Sequence, residues 1–212
     1  MSGKDHEIYN EEFLTFYGST LERIKEEIEK VVDTITEVEE PGETKKIEHI
    51  KSRIKNPVSV EKKLKSRGFE FSLFSCFKNL TDYAGIRIVC SFLDDIYTIR
   101  DKLETMENVK ILEEEDYVKY PKPNGYRSYH LLLEIDRPLM EEVKKTCIEV
   151  QIRTISQDSW ASLEHQLKYK KDIKNSEMIV EELKRCAEEM ASTDLTMQTI
   201  RDWIEGKIKE DS

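Results

Sequence analysis

The segment that most restricts what this chain can fold into is Ile86-Arg87-Ile88-Val89-Cys90-Ser91-Phe92. A short, nearly continuous run of apolar and β-branched residues reads as a central strand, and a strand buried on both faces needs helices on both sides of its sheet. The surrounding patterns supply them. Ile96, Ile99, Leu103 and Met106 follow Asp94 at helical spacing, Val109 to Val118 reads as a weak or edge strand, and Tyr129 to Ile135 and Thr146 to Thr154 read as two more strands. A helix opening at Ser156 or Asp158 carries Trp160, Leu163, Leu167 and Lys170. Long helices with narrow seams flank this centre. The first has Leu14, Tyr17, Leu21, Ile24, Ile28, Val31, Ile35 and Val38 and stops at Pro41-Gly42; the last has Ile179, Leu183, Cys186, Met190, Thr193, Met197, Ile200 and Ile204. The fold class is therefore α/β or α+β, a mixed sheet flanked by helices with long N- and C-terminal helices. The natural division is 1–42 as a packing or oligomerisation helix, 43–171 as the core and 172–212 as the C-terminal helix.

Charge is segregated along the chain. The net charge is −10 over 212 residues, yet Lys45, Lys46, Lys51, Arg53, Lys55, Lys62, Lys63, Lys65 and Arg67 face only Glu48 and Glu61 within residues 45–67. An acidic chain is a poor binder of nucleic acid polymers, since that affinity comes from Lys and Arg neutralising phosphates. DNA is excluded as a partner and RNA is not expected. No run approaches the roughly 18 apolar residues of a membrane span, and residues 1–10 have no targeting pattern, so a cytoplasmic location is expected. Cys76, Cys90, Cys147 and Cys186 are widely spaced, as are the four histidines, which gives no structural metal motif.

Three groups of residues carry chemistry. The strand at 146–154 alternates Cys147, Glu149, Gln151 and Arg153 against Ile148, Val150 and Ile152, so one face lines either solvent or a site. Asp82 precedes the central strand, and two carboxylates on neighbouring strands suit a hard cation with oxygen ligands. In the basic stretch, Pro57 fits a turn and Ser59 an N-cap, which places cations around a helix start that favours anions. With no GxxxxGK[ST] sequence, phosphates would be gripped by side chains. The third group is Tyr120-Pro-Lys-Pro-Asn-Gly-Tyr-Arg-Ser-Tyr-His130, a stiffened loop offering a cation, an amide, an aromatic face and an imidazole, as a stacked nucleobase with nearby phosphate requires.

Taken in order, Arg53-x-Lys55 with Ser59 and Lys63, Asp82-Tyr83-Ala84-Gly85-Ile86-Arg87, the 120–130 loop, Glu149-Val-Gln-Ile-Arg-Thr154, and Trp160-Ala-Ser-Leu-Glu-His165 with Tyr169-Lys170 resemble the synthetase domain of the RelA/SpoT family. The resemblance covers about residues 47–171 and is similar to a stand-alone small alarmone synthetase. Ile47-Glu48-His49 and Trp160 to His165 resemble the RelP-type branch more than the RelQ-type branch, and the length leaves no room for the hydrolase half of the long forms.

The resemblance implies a nucleotidyltransferase-like sheet and transfer of the β,γ-pyrophosphate of ATP to the 3′-hydroxyl of GTP or GDP, with Mg²⁺. It implies that Arg53, Lys55, Ser59, Lys63 and Arg87 bind ATP. Asp82 and Glu149 would hold the metal, Glu149 also serving as a base tuned upward by its surroundings. Lys122, Asn124, Tyr126 and His130 would bind the acceptor, with Gln151 and Arg153 organising the ligands. A homotetramer through the terminal helices is implied as well. One departure is the acidic Glu113-Glu114-Glu115-Asp116-Tyr117 before the loop, where a basic pattern is common; beside acceptor phosphates it would repel a triphosphate more than a diphosphate. Two alternatives stay open: a relative that pyrophosphorylates the 3′ end of tRNA, and a non-catalytic nucleotide-binding oligomer.

Overall fold

The structure is a computed structural model that describes residues 15, 18–19, 21–26, 28–29, 46–107, 109–136, 145–168 and 176–207. Its elements in order are β1 (Ile47–Ile54), α1 (Pro57–Ser66), α2 (Leu73–Asn79), β2 (Ala84–Cys90), α3 (Leu93–Glu104), β3 (Val109–Asp116), β4 (Tyr129–Ile135), β5 (Thr146–Thr154), α4 (Ile155–Lys168) and α5 (Ser176–Ile204). The sheet runs β1-β2-β5-β4-β3 and is mixed: β2 and β5 are parallel and every other pair is antiparallel. Both edge strands carry a register shift, between Ile47 and His49 in β1 and between Ile111 and Glu113 in β3.

Period-two alternation separates the two faces of this sheet. Ile86 and Ile88 of β2, Leu131 and Leu133 of β4 and Ile148, Val150 and Ile152 of β5 are buried, in one cluster with Ile96, Ile99 and Leu103 of α3. The same cluster takes in Leu21, Ile24 and Ile28, so these three positions of the N-terminal seam pack on the chain's own core. Leu14, Tyr17, Val31, Ile35 and Val38 lie outside the described residues. Gly85, Arg87, Glu149, Gln151 and His130 occupy the other face and are only half-buried. The central strand is thus covered on both faces only toward its C-terminal end, where Ile88, Val89 and Cys90 are all buried.

Four local expectations are corrected. The central strand ends at Cys90 rather than Phe92, because Phe92 becomes the N-cap of α3, its N–H donating to Asp95 Oδ2 at 3.0 Å. Helix α1 starts at Pro57, capped by Asn56, whose Oδ1 accepts from Val58 N at 2.9 Å; Ser59 lies inside the first turn and is exposed. On α4 Trp160 is buried, whereas Leu163 and Leu167 are exposed. On α5 the buried positions are Ala187, Asp194 and Arg201, one residue on from Cys186, Thr193 and Ile200, a rotation of about 100°. Two of those three are polar. Asp194 accepts from Thr154 Oγ1 at 2.7 Å, and Arg201 binds Asp94 and Asp95 and lies 4.4 Å over the Phe92 ring. No helix among the described residues is long and apolar enough to cross a membrane.

Candidate active site

The polar face of β5 and its neighbours form the floor of two adjoining clefts. The larger, of about 570 Å³, is bordered by Arg53 of β1, Lys55, Arg87 of β2, Tyr126, Gln151 and Arg153; the smaller, about 210 Å³, by Lys63, His130, Glu113 and Glu115. Asp82 and Glu149 line both. The register explains this layout, since Arg53 pairs with Gly85, Gly85 with Glu149, Arg87 with Gln151 and Gln151 with His130. Gly85 separates Arg53 from Glu149, and a Cβ there would come within 3.3 Å of the Glu149 carbonyl oxygen.

Asp82 is the hinge of the basic side. Its Oδ2 accepts from Lys55 Nζ at 2.5 Å and Lys63 Nζ at 2.6 Å, so a strand end and a helix are tied to one oxygen. Burial pushes its carboxyl up, but the hydrogen bonds from both lysines outweigh that and hold it below the ordinary aspartate value. Its Oδ1 is buried with no hydrogen-bond partner. Arg87 is paired with Asp158 at 3.1 Å; burial, then repulsion from Arg153, lowers its pKa.

The other side is a closed ring of hydrogen bonds. Arg153, 4 % exposed, donates through one terminal nitrogen to the Tyr126 hydroxyl at 2.7 Å and to Gln151 Oε1 at 2.8 Å. Gln151 Nε2 donates to Glu149 Oε2 at 2.9 Å, Glu149 Oε1 lies 3.5 Å from His130 Nδ1, and His130 Nε2 is 2.8 Å from the Tyr126 hydroxyl. Because Arg153 already donates to that hydroxyl, its own proton is assigned to His130 Nε2, which leaves Nδ1–H facing Glu149. The second terminal nitrogen of Arg153 binds Asp158 at 3.1 Å, so Asp158 holds both arginines of the floor. The hydrogen bond from His130 lowers the Glu149 pKa, against the opposing effects of burial and the Asp82 charge. A base tuned upward was the expectation; in this arrangement the carboxylate is held ionised instead.

Residues 52–174 match the region found in RelA / SpoT proteins, which is more than half of the chain. The chain belongs to the RelA/SpoT family. It is 43% identical over 142 residues to the GTP pyrophosphokinase YwaC of Bacillus subtilis, 67% of this chain and 68% of the relative. Among solved structures, the small alarmone synthetase 1 of Bacillus subtilis bound to its product pppGpp superposes with a TM-score of 0.77 at 29% identity, covering 91% of this chain and 96% of that one. The same synthetase bound to AMPCPP gives 0.70 at 27% identity, covering 92% and 96%.

Within this RelA/SpoT-family chain the residues expected on the ATP and acceptor sides do not fall into separate cavities. Arg53, Lys55 and Arg87 share the larger cleft with Tyr126, Gln151 and Arg153, while Lys63 and His130 face each other across the smaller. Ser59 borders neither. Lys122 borders neither as well; its ammonium sits 4.2 Å above the Tyr117 ring and 5.4 Å from that of Tyr126. Asn124 holds the loop, donating to Glu164 at 3.2 Å and accepting from Tyr126 N at 3.2 Å. Asp158 and Tyr117 are site residues that pattern reading did not single out. Asp158 read only as a helix start, and Tyr117 only as the end of an acidic run, although an aromatic beside an aromatic-bearing loop was a signal.

Proposed function

We propose that this chain is a small alarmone synthetase that transfers the β,γ-pyrophosphate of ATP to the 3′-hydroxyl of GTP or GDP, giving pppGpp or ppGpp and AMP. The observation that carries this reading is that Asp82, bound by Lys55 and Lys63, and Glu149, bound to the Gln151–Arg153–Tyr126 group, line the same two clefts, so that the two sets of residues meet at a pair of carboxylates. A transfer enzyme needs its polar centre where two substrates meet, and a simple binder does not.

ATP lies along β1 and α1, where Arg53 and Arg87 flank the adenine and Lys55 and Lys63 leave Asp82 for the phosphates; Ser59 stands at the helix start beside them. Exchange of one carboxylate for phosphate oxygens keeps both ammonium groups paired. The acceptor lies on the ring side. Its base stacks on Tyr126, with Asn124 and Lys122 framing the loop, His130 reaching the phosphates from the smaller cleft, and Gln151 and Arg153 fixing the Glu149 carboxylate. Glu149 takes the 3′-hydroxyl proton as the 3′ oxygen bonds to the β-phosphorus and the bond between that phosphorus and the α-phosphate bridging oxygen breaks, releasing AMP. Positioning and charge neutralisation carry most of the rate enhancement.

Mg²⁺ fits this site. Among the described residues no three His, Cys, Asp or Glu side chains converge as a metal cage, but Mg²⁺ is held by one or two carboxylates plus substrate phosphates and water. The unpartnered Asp82 Oδ1 and the Glu149 carboxylate are such a pair. When bound, the ion supplies positive charge to the triphosphate. The acidic Glu113 and Glu115 in the smaller cleft favour GDP over GTP by repulsion.

The outer side of α5 exposes Leu195, Met197, Ile200, Trp203 and Ile204, the last at 81 %. This supports an interaction surface on the C-terminal helix. Assembly as a homotetramer through the terminal helices, in the cytoplasm, is part of the proposed reading. Chromatography of labelled ATP incubated with GTP or GDP and Mg²⁺ tests the function: AMP and a 3′-pyrophosphorylated guanosine nucleotide are expected, and a parent protein yielding neither overturns the assignment.

A further inference from the structure

The loop that carries Tyr126 does not stand on the sheet alone. Gly125, at φ +89°, lies so close to α5 that a Cβ built on it would be 2.6 Å from the Ala187 Cβ and 3.3 Å from the Lys184 Cα. The small pocket beside this contact, lined by Trp160, Ala187 and Asp194, has room for about one water molecule. Beside it, Trp160 of α4, 4 % exposed, donates its Nε1–H to the Leu183 carbonyl oxygen of α5 at 2.8 Å, and its ring centroid is 6.5 Å from that of Tyr126. One heptad further along α5, Asp194 accepts from Thr154 Oγ1 at 2.7 Å, at the end of β5 next to Arg153. Helix α5 is therefore indexed against both the loop and the strand between which the Tyr126–Arg153 bond is made.

We propose that Ala187 and Trp160 are positioning residues for the acceptor nucleotide: they set the height of the Gly125 backbone and through it the ring of Tyr126, although neither reaches the nucleotide. This rests on the assignment of Tyr126 to the acceptor base. Where it meets the Gly125 backbone, the seam has no room beyond the Ala187 methyl. A larger side chain at 187 pushes on backbone, which is not free to rotate away as a flexible side chain is. It must lift residues 124–126, and displacing a stacking group by an ångström costs up to about 10²-fold. The Trp160 bond acts from the other side by fixing how far α5 stands from α4. Of the donor residues, Arg53, Lys55 and Lys63 are on β1, α1 and the segment between them, away from this seam; Arg87 is tied to Asp158 of α4, which makes Ala187→Leu, on α5, the cleaner probe.

Ala187→Leu and Trp160→Phe test the inference, with Glu188→Ala, on the exposed side of the same helix, as the control. Steady-state kinetics with GDP varied and with ATP varied are paired with equilibrium binding of fluorescent GDP and ATP analogues without turnover. Ala187→Leu is expected to raise the GDP KM and the GDP-analogue Kd by about tenfold, with both ATP constants unchanged within about twofold. Trp160→Phe, which deletes the N–H and keeps most of the ring, is expected to shift the same two constants by about threefold. A purely structural role would lower the melting temperature and leave the ratio of acceptor to ATP constants at the parent value, or move both constants together; either result overturns the proposal. If Ala187→Leu does not fold, Trp160→Phe decides alone by the same ratio. A parent that binds the GDP analogue but makes no product overturns the enzymatic assignment while leaving this inference to the binding ratio. A productive parent whose variants keep the parental ratio overturns this inference alone.

Discussion

The two halves of the site are organised by opposite means. The half proposed for the acceptor is assembled in advance: Arg153, Tyr126, His130, Glu149 and Gln151 close a ring on one another, with Arg153 buried. On the half proposed for the donor, Arg87 is tied to Asp158, but both lysines are held by a single oxygen, Asp82 Oδ2, and are partly exposed. A closed network of buried polar groups is rigid because every member would lose a partner by moving. A two-lysine fork on one carboxylate is easily remade around another anion. On the proposed assignment, the acceptor surface exists before its ligand, and the donor surface takes its final form when triphosphate replaces Asp82 as the lysines' partner.

Substitutions can break this contrast. Glu149→Gln keeps a group able to accept one hydrogen bond but removes the base, and turnover should fall by about 10³-fold in a product assay with little change in melting temperature. Asp82→Asn frees both lysines while weakening the metal pair; turnover should drop by about 10²-fold while ATP-analogue affinity measured without Mg²⁺ holds or rises. Tighter ATP binding there would show that the fork restrains the donor side. Arg153→Met opens the ring at its buried member and leaves Asp158 and Gln151 short of a donor, so thermal denaturation should show a loss of about 3 kcal/mol. Tyr126→Phe removes only the hydroxyl, and the acceptor kcat/KM should fall by about tenfold with the ATP KM unchanged. Smallest is Glu115→Lys: competition between GTP and GDP should shift toward GTP by a few-fold, an effect that fades with added salt.

Strands β4 and β5 were readable to the residue because the pattern of inward apolar positions runs their whole length and nothing competes for the terminal residues. The central strand read two residues late because Phe92, apolar and β-prone, is taken by a helix cap. The α5 stripe read one residue off for a related reason. Apolar spacing finds the greasy side of a helix, but here Asp194 and Arg201 turn inward, since Thr154, Asp94 and Asp95 satisfy them. The site's residue types were legible and its connections were not. Nothing in the sequence tells that the Tyr126 hydroxyl meets His130 and Arg153, since that ring joins a loop and two strands across a register only the folded sheet defines. Lys122 shows the same limit. A cation in a nucleotide loop reads as a phosphate ligand, yet it rests on the Tyr117 ring.

The two outer strands have a further consequence for how copies of this chain meet. β1 carries Lys51 and Arg53 against Glu48, and β3 carries Glu113, Glu114, Glu115 and Asp116 against Lys110, with Glu114 paired to Arg100, so the sheet ends in one weakly cationic and one anionic rim. Like rims repel, but unlike rims attract, and head-to-tail joining of a basic rim to an acidic one would extend sheets without closure. The register shift in each edge strand opposes this. A register shift interrupts the ladder of N–H and C=O groups, so that the straight run open to a strand of another copy is shortened to His49–Ile54 in β1 and Glu113–Asp116 in β3. Shortened edges are poorer templates for joining sheet to sheet, which is consistent with the assembly through helices proposed above.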